Sequence, residues 1–175
     1  MQVIDLAVLG MVLEGPKSAY ELQKDVEFHH FPRWTRISVP SVYRKVLQLQ
    51  RRGDLQGEPA PGDRKKTVYT ITEQGRERFL ALMEDQAAAP VPLLFDCNVV
   101  VANLNKVDRD TALGLIRRLR ESVAASAGET AGYEAEYEGL PLTARAVFAQ
   151  QRLLYEALLR WLEEFEVQLR GAPRP

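Results

Sequence analysis

The sequence holds a single cysteine, Cys97, and only two histidines among its 175 residues. A lone thiol cannot close an intramolecular disulfide and rules out a zinc site built from several cysteines; it suits a reducing cytoplasm. Cys97 is expected as a small buried apolar residue. His29 and His30 are adjacent, so on any regular element they point in different directions and make a poor chelating pair. Membrane-length apolar runs are lacking as well. "VIDLAVLGMVL" near the start is too short for a bilayer, is broken by Asp5 and has no basic segment before it, so neither export nor a membrane is expected. There is no Gly-rich phosphate loop after a strand, no metal-ligand spacing and no nucleophile motif, which argues against an enzyme and gives no cofactor or metal to expect.

Net charge of one sign is almost absent, at -1. A nucleic-acid partner would therefore have to be attracted by a local patch. Such a patch exists in the sequence. From Arg33 to Arg78 there are eleven Arg or Lys against five Asp or Glu, whereas residues 86–175 hold ten against twelve. With 46% hydrophobic and 27% charged residues, the chain can fold around one substantial core or two small ones.

In the basic half, local chemistry marks the elements. Ile4, Leu6, Val8, Leu9 and Val12 make a short buried helix that ends before Gly15-Pro16. Ser18 with Glu21 three residues later forms a capping box, opening a second short helix with Leu22 and Val26 inward. "FHHFPRWTRI" has no steady period and reads as a connection, its aromatic residues plugging onto the core. Ser38 is then a good N-cap, and Pro40 falls in a first helical turn, where its missing amide has no intrahelical partner to lose. Val42, Val46 and Leu49 form the buried stripe of this third helix. Ser41, Arg44, Lys45, Gln48, Arg51 and Arg52 fall on the opposite arc, and Gly53 supplies the stop. Arg51 and Arg52 also suit the negative end of the helix dipole.

"DLQGEP" and "KTVYTIT", joined by "APGDRKK", read as a hairpin with Arg64, Lys65 and Lys66 at or beside its tip. Thr72 opens a further helix with Phe79, Leu80 and Met83 inward. Three helices, a two-stranded wing and a linking helix make a winged helix-turn-helix over residues 1–85. A helix of this width fits the DNA major groove, and a basic hairpin lays cations on the neighbouring phosphates. The expected DNA-facing residues are Ser18, Tyr20, Ser38, Pro40, Ser41, Tyr43, Arg44, Lys45, Gln48, Arg64, Lys65 and Lys66. The alternative is a winged helix used for protein–protein contact without sequence-specific DNA binding. Such a module has no reason to keep a basic wing on the same side as a basic helix.

"LAVLGMVLEGPKSAYELQKDV", Trp34, "ISVPSVYRKVLQLQRRGDL" and "KTVYTITEQGRE" resemble the PadR family of bacterial transcriptional regulators. The resemblance rests on Tyr20, Glu21 and Leu22, then Tyr43, then Tyr69, Ile71, Thr72 and Gly75, and covers about 85 residues. The Ser18-Ala19 pair departs from the His-Gly that many members carry. The resemblance implies a homodimeric repressor that binds double-stranded DNA at an inverted-repeat operator and is released by a small-molecule effector.

The second half supports dimerisation on its own terms. "AAAPVPLLF" is a plausible boundary, and residues 91–170 read as an α-helical antiparallel dimerisation domain in a mainly α protein. "FDCNVVVANL" is read as helix, although its three valines favour a strand. Asp108 caps a long helix that should bend or fray at Gly128 and Gly132. Beyond Gly139 and Pro141, Val147, Leu154 and Trp161 recur every seven residues. Two helices with so much apolar surface cannot cover it against one another, so a second copy is expected on Ile116, Leu119, Val123, Val147, Leu154, Leu158, Trp161 and Phe165. Phe95, Asp96, Cys97 and Asn103 offer mixed apolar and polar chemistry suited to an effector.

Overall fold

The computed structural model describes residues 3–136, 139 and 141–171; the side chains of Arg64 and of residues 134–136 also lie outside the described residues. The chain divides into two compact units, Met1–Pro92 and Leu93–Pro175.

In the first unit, α1 (Val3–Leu13) is apolar nearly all round and buries Val8, Leu9, Met11 and Val12. Asp5 is buried with them, at 2% exposure. A short strand, β1 (Lys17–Ser18), leads into α2 (Ala19–Phe28), whose start is fixed by the capping box. Leu22 and Val26 face inward with no exposure. The segment expected as a plain connection contains one helical turn, α3 (Phe31–Trp34), with Pro32 at its start. It is held by the Trp34 indole N–H, which donates to the His29 carbonyl at 3.1 Å, and by the Phe31 and Trp34 rings 4.5 Å apart.

The third long helix, α4 (Val39–Arg52), buries Val42, Val46 and Leu49 completely. Gly53 ends it at φ 84°, a left-handed conformation that costs glycine little, and its N–H reaches back to Leu49 and Gln50. The hairpin follows as β2 (Leu55–Ala60) and β3 (Asp63–Ile71), with Leu55 opposite Ile71 and Pro59 opposite Thr67. β1 pairs with the other edge of β3, Lys17 opposite Tyr69, so the expected two-stranded wing carries a short third strand in the order β1-β3-β2.

The last helix of this unit, α5 (Glu73–Ala88), begins where the Thr72 hydroxyl accepts the Gly75 N–H at 3.0 Å. A Cβ on Gly75 would stand 2.1 Å from the Asp54 carbonyl oxygen, so only glycine allows the helix to sit this close. That contact sets the roll of the helix. Phe79 and Leu82, four and seven residues on, pack into the core. Leu80 and Met83, expected inward, are turned out at 62% and 50% exposure.

The second unit opens with a single turn, α6 (Asn98–Val101), and a 3-10 turn at Leu104–Lys106. "FDCNVVVANL" is thus helical only in part. Cys97 is half-buried, not fully buried. Two long helices follow, α7 (Arg109–Glu136) and α8 (Leu142–Gly171). Asp108 caps α7 by accepting the Thr111 N–H at 2.9 Å. Gly128 and Gly132 do not interrupt the helix. Their cost of about 1 kcal/mol each is small beside the packing of one long helix along another. Leu104, Ala112, Ile116 and Leu162 form the centre of this unit, with Leu119, Val123 and Phe165 against it. Beside that centre Glu166 is buried, 3.2 Å from Arg120 of α7 and bonded to Arg170 one turn on. The Arg170 hydrogen bond holds the Glu166 carboxyl below the usual carboxylate range.

Candidate nucleic-acid interface

The exposed side of α4 carries the chemistry expected of a groove-reading helix, with one redistribution. Arg44, Tyr43 and Arg51 are exposed, and Ser41 and Gln48 are half-buried. Ser38 takes the extended conformation of an N-cap, but its side chain makes no capping bond. Instead the Ser41 hydroxyl donates to the Ser38 carbonyl at 2.5 Å. Ser38 and Pro40 are both exposed at the start of the helix.

Lys45 does not lie on the outward arc. It is three residues beyond Val42 and so only about 60° from the buried stripe. Its ammonium turns inward to Asp5, 2.7 Å away, and the side chain is 12% exposed. Arg52, two turns further along the same flank, reaches the other Asp5 oxygen at 3.1 Å. Arg78 of α5 lies 3.6 Å from that oxygen and 3.5 Å from Asp54. Gln74 closes the group, donating to Asp54 at 3.2 Å and to the Arg52 carbonyl at 2.8 Å. Asp5, Asp54 and Arg78 were not legible as members of one site. Asp5 and Arg52 are 47 residues apart in sequence, and the only trace was a charged residue inside an otherwise apolar helix.

At the start of α2, Ser18 is buried and its hydroxyl is occupied by the capping box: it accepts the Glu21 N–H at 3.3 Å and donates to the Glu21 carboxylate at 2.7 Å. It is therefore not presented to a phosphate. The Ser18 N–H, the Ser18 hydroxyl and Lys66 together pull the Glu21 carboxyl down to about 2. Tyr20 is exposed, with the Lys24 ammonium 5.8 Å from its ring centre.

In the wing, the strands run almost to the turn at Pro61-Gly62, so the basic residues stand on β3 itself. Lys65 is exposed, and its N–H is fixed by Asp63 at 2.9 Å. Lys66 is paired with Glu21 at 2.9 Å. The Arg64 side chain lies outside the described residues. Arg44, Gln48, Tyr43, Tyr20 and Lys65 thus belong to exposed or half-buried positions of one compact unit, whereas Ser18, Lys45 and Lys66 are held by intramolecular partners.

A cleft of about 970 Å³ runs beside the N-terminal half of α4, floored by Ile4, Trp34 and Ile37 and walled by Ser41, Arg44 and Gln48. Among the described residues lining it, every charged one is basic: Arg36, Arg44 and Lys45. No group of three or more His, Cys, Asp or Glu among the described residues could hold a metal, and no helix among them is long and apolar enough to cross a membrane.

In the second unit, Ile116 is fully buried, and Leu119, Val123 and Phe165 pack within the same chain. They serve the α7–α8 hairpin first. Val147 and Leu158 are half-buried, while Leu154 and Trp161 are 39% and 36% exposed. Phe95, Asp96, Cys97 and Asn103 surround α6. None of them lines the cleft beside α4. Asn103 is engaged locally, donating to Val99 at 2.7 Å and accepting from Lys106 at 2.6 Å.

No protein-family model and no curated protein matches the chain. Solved structures do. The PadR-like transcriptional regulator BC1756 from Bacillus cereus is 22% identical over 96% of this chain and 98% of its own, with a TM-score of 0.73. Bacillus subtilis PadR in complex with operator DNA is 17% identical over 96% and 98%, at 0.77. The same protein in complex with p-coumaric acid is 16% identical over 97% of each chain, at 0.78. The architecture is a winged helix-turn-helix followed by a helical C-terminal region. More particularly, it is the fold of PadR-like transcriptional regulators, shared over nearly the whole chain.

Proposed function

We propose that the protein is a DNA-binding transcriptional regulator of the PadR type and not an enzyme. The observation that carries this reading is the first unit: a Gly53-capped helix with Arg44, Gln48 and Tyr43 on its open side, followed at once by a basic wing. Bacillus subtilis PadR, whose fold this chain shares, has been captured on operator DNA, which supports the same use here. Arg44 has the bidentate donor geometry that suits guanine, Gln48 the donor and acceptor pair that suits adenine, and Tyr20, Tyr43 and Lys65 suit phosphate oxygens. Residues 1–85 are the DNA-binding domain in this reading, acting in the cytoplasm.

Residues 91–170 act as the dimerisation domain. Leu154 and Trp161, with the neighbouring exposed Leu153 and Val167, give α8 an apolar surface for a second copy. A homodimer explains an inverted-repeat operator, because two recognition helices reach successive major grooves when held about 34 Å apart. In this reading the bound protein represses, and a small molecule that prefers a different spacing releases the DNA. Bacillus subtilis PadR in complex with p-coumaric acid supports an effector, and Phe95, Asp96, Cys97 and Asn103 are the residues we assign to it.

The test is a selection of genomic fragments by the purified protein, followed by salt-dependent binding to the enriched duplex. Enrichment of an inverted repeat is the expected result. Recovery of no common sequence, with binding indifferent to salt, leaves a winged-helix module for protein contact.

A further inference from the structure

Asp5 lies in an apolar helix, is nearly inaccessible, and gathers cations from two others: Lys45 and Arg52 from α4, Arg78 from α5. A buried carboxylate is expensive to desolvate and is retained only when well paired. Its partners here are not surface decoration. Lys45 and Arg52 are seven residues apart, two turns along one flank of α4, so both reach the same carboxylate from the edge of the buried stripe. The Lys45 contact takes one cation out of the set available to DNA. Lys45 stands between Arg44 and Gln48 in sequence, yet its ammonium is sealed against Asp5, 2.7 Å away, while Arg44 and Arg51 remain exposed.

We propose that Asp5 is a positioning residue for DNA recognition: it withdraws Lys45 from the phosphate backbone, leaving Arg44, Arg51 and the outer part of Arg52 as the helix's outward charges. The inference rests on the DNA-binding reading above. Its chemical consequence concerns specificity. A lysine free beside the groove adds sequence-independent attraction to any duplex and dilutes discrimination by Arg44 and Gln48. Removing the carboxylate charge leaves Lys45 confined with Arg52 and Arg78 nearby, and the remaining carboxylate, Asp54, is already engaged by Arg78 and Gln74. The long, flexible lysine side chain then moves into water and toward phosphate.

The test is a cycle of Asp5→Asn, Lys45→Met and the double variant. Binding is measured against salt on the enriched duplex and on its scrambled counterpart, and folding is checked by thermal melting. Each phosphate contact contributes about 0.9 to the log-log salt slope. Lys45→Met should leave the slope of the parent protein unchanged. Asp5→Asn should steepen it by roughly 0.9 on both duplexes and narrow the affinity ratio between them by about tenfold. Adding Lys45→Met should reverse both effects, which a merely structural carboxylate would not give. Loss of about 0.9 of slope from Lys45→Met alone overturns the proposal, since the lysine would already be on phosphate. So does an Asp5→Asn protein that folds and binds with unaltered slope and ratio. If Asp5→Asn does not fold, Lys45→Met alone decides: an unchanged slope supports the proposal and a shallower one overturns it. A parent protein with no salt-dependent DNA binding removes the DNA-binding reading and the inference with it. Either of the other failures removes the inference alone.

Discussion

The two units handle their difficult surface in opposite ways. In Met1–Pro92, fourteen hydrophobic residues from four helices, both strands of the wing and the connection at Ile37 close a core, and buried carboxylates are met by cations from other elements. Among the described residues of Leu93–Pro175, Leu104, Ala112, Ile116 and Leu162 are the buried members of the central cluster, while Leu142, Leu153 and Val167 of α8 stay more than half exposed. The first unit closes a core of its own, with Leu80 and Met83 of α5 left outside it. The second is a two-helix layer that covers one side of each helix, because two helices have only one mutual interface to offer. A contact on its remaining apolar side is the expectation, over a longer stretch of helix than the exposed Leu80 and Met83 of α5 call for.

Four measurements can break or sharpen this contrast. The largest effect is expected from Leu9→Ala in the first unit set against Ile116→Ala in the second, each fully buried. Each should cost about 2–5 kcal/mol in denaturant unfolding, and the Ile116 loss should depend on protein concentration whereas the Leu9 loss should not. Equal behaviour of the two variants at all concentrations would erase the distinction. Next, Trp161→Glu should weaken self-association by about 100-fold, roughly 2.7 kcal/mol, in sedimentation equilibrium. Undiminished dimers would place the contact elsewhere.

Smaller effects belong to the wing. Lys65→Ala should lower the salt slope of DNA binding by about 0.9, and Lys66→Ala by much less, because Lys66 is already paired with Glu21 at 2.9 Å. Equal losses would mean that the pair opens on DNA. The smallest effect is acid-linked. Glu21 titrates at about 2, against an ordinary value of 4.5, because it accepts hydrogen bonds from Ser18 and then from Lys66. A depressed carboxyl stabilises the fold fully above its unfolded value and loses that contribution as pH falls from 4.5 toward 2. Glu21→Gln should therefore flatten the acid-unfolding profile in that window, its stability lying below the parent's at pH 7 and converging with it as pH nears 2. A steep profile retained by the variant would assign it to other carboxyls.

Much of the first unit was legible because its signals are local. The Ser18–Glu21 box, Pro40 in a first turn, Gly53 at a helix end and the alternation of "TVYTIT" each act within a few residues, and each appears where that chemistry puts it. What escaped depends on distant parts of the chain. Leu82 replaces Leu80 and Met83 as the inward residue of α5 because the approach of Gly75 to Asp54 fixes the roll of that helix. Lys45 leaves the outward arc because Asp5, forty residues earlier, lies beneath it. In the second unit, heptad spacing located an apolar stripe but could not say what covers it. Ile116, Leu119, Val123 and Phe165 are covered by their own chain, while Trp161 and Leu154 are not fully covered.

The meeting of Gly75 with Asp54 has a mechanical side. Around that point the Thr72 hydroxyl donates to the Gly53 carbonyl at 2.6 Å, the Thr72 N–H to the Asp54 carbonyl at 3.1 Å, and Gln74 to the Arg52 carbonyl at 2.8 Å. The last turn of α4, the root of the wing and the first turn of α5 are welded at one joint. It has no slack, since even one methyl group would not fit into it. α5 therefore meets the end of α4 through direct hydrogen bonds and van der Waals contact, so neither helix can be turned at this joint without carrying the other with it.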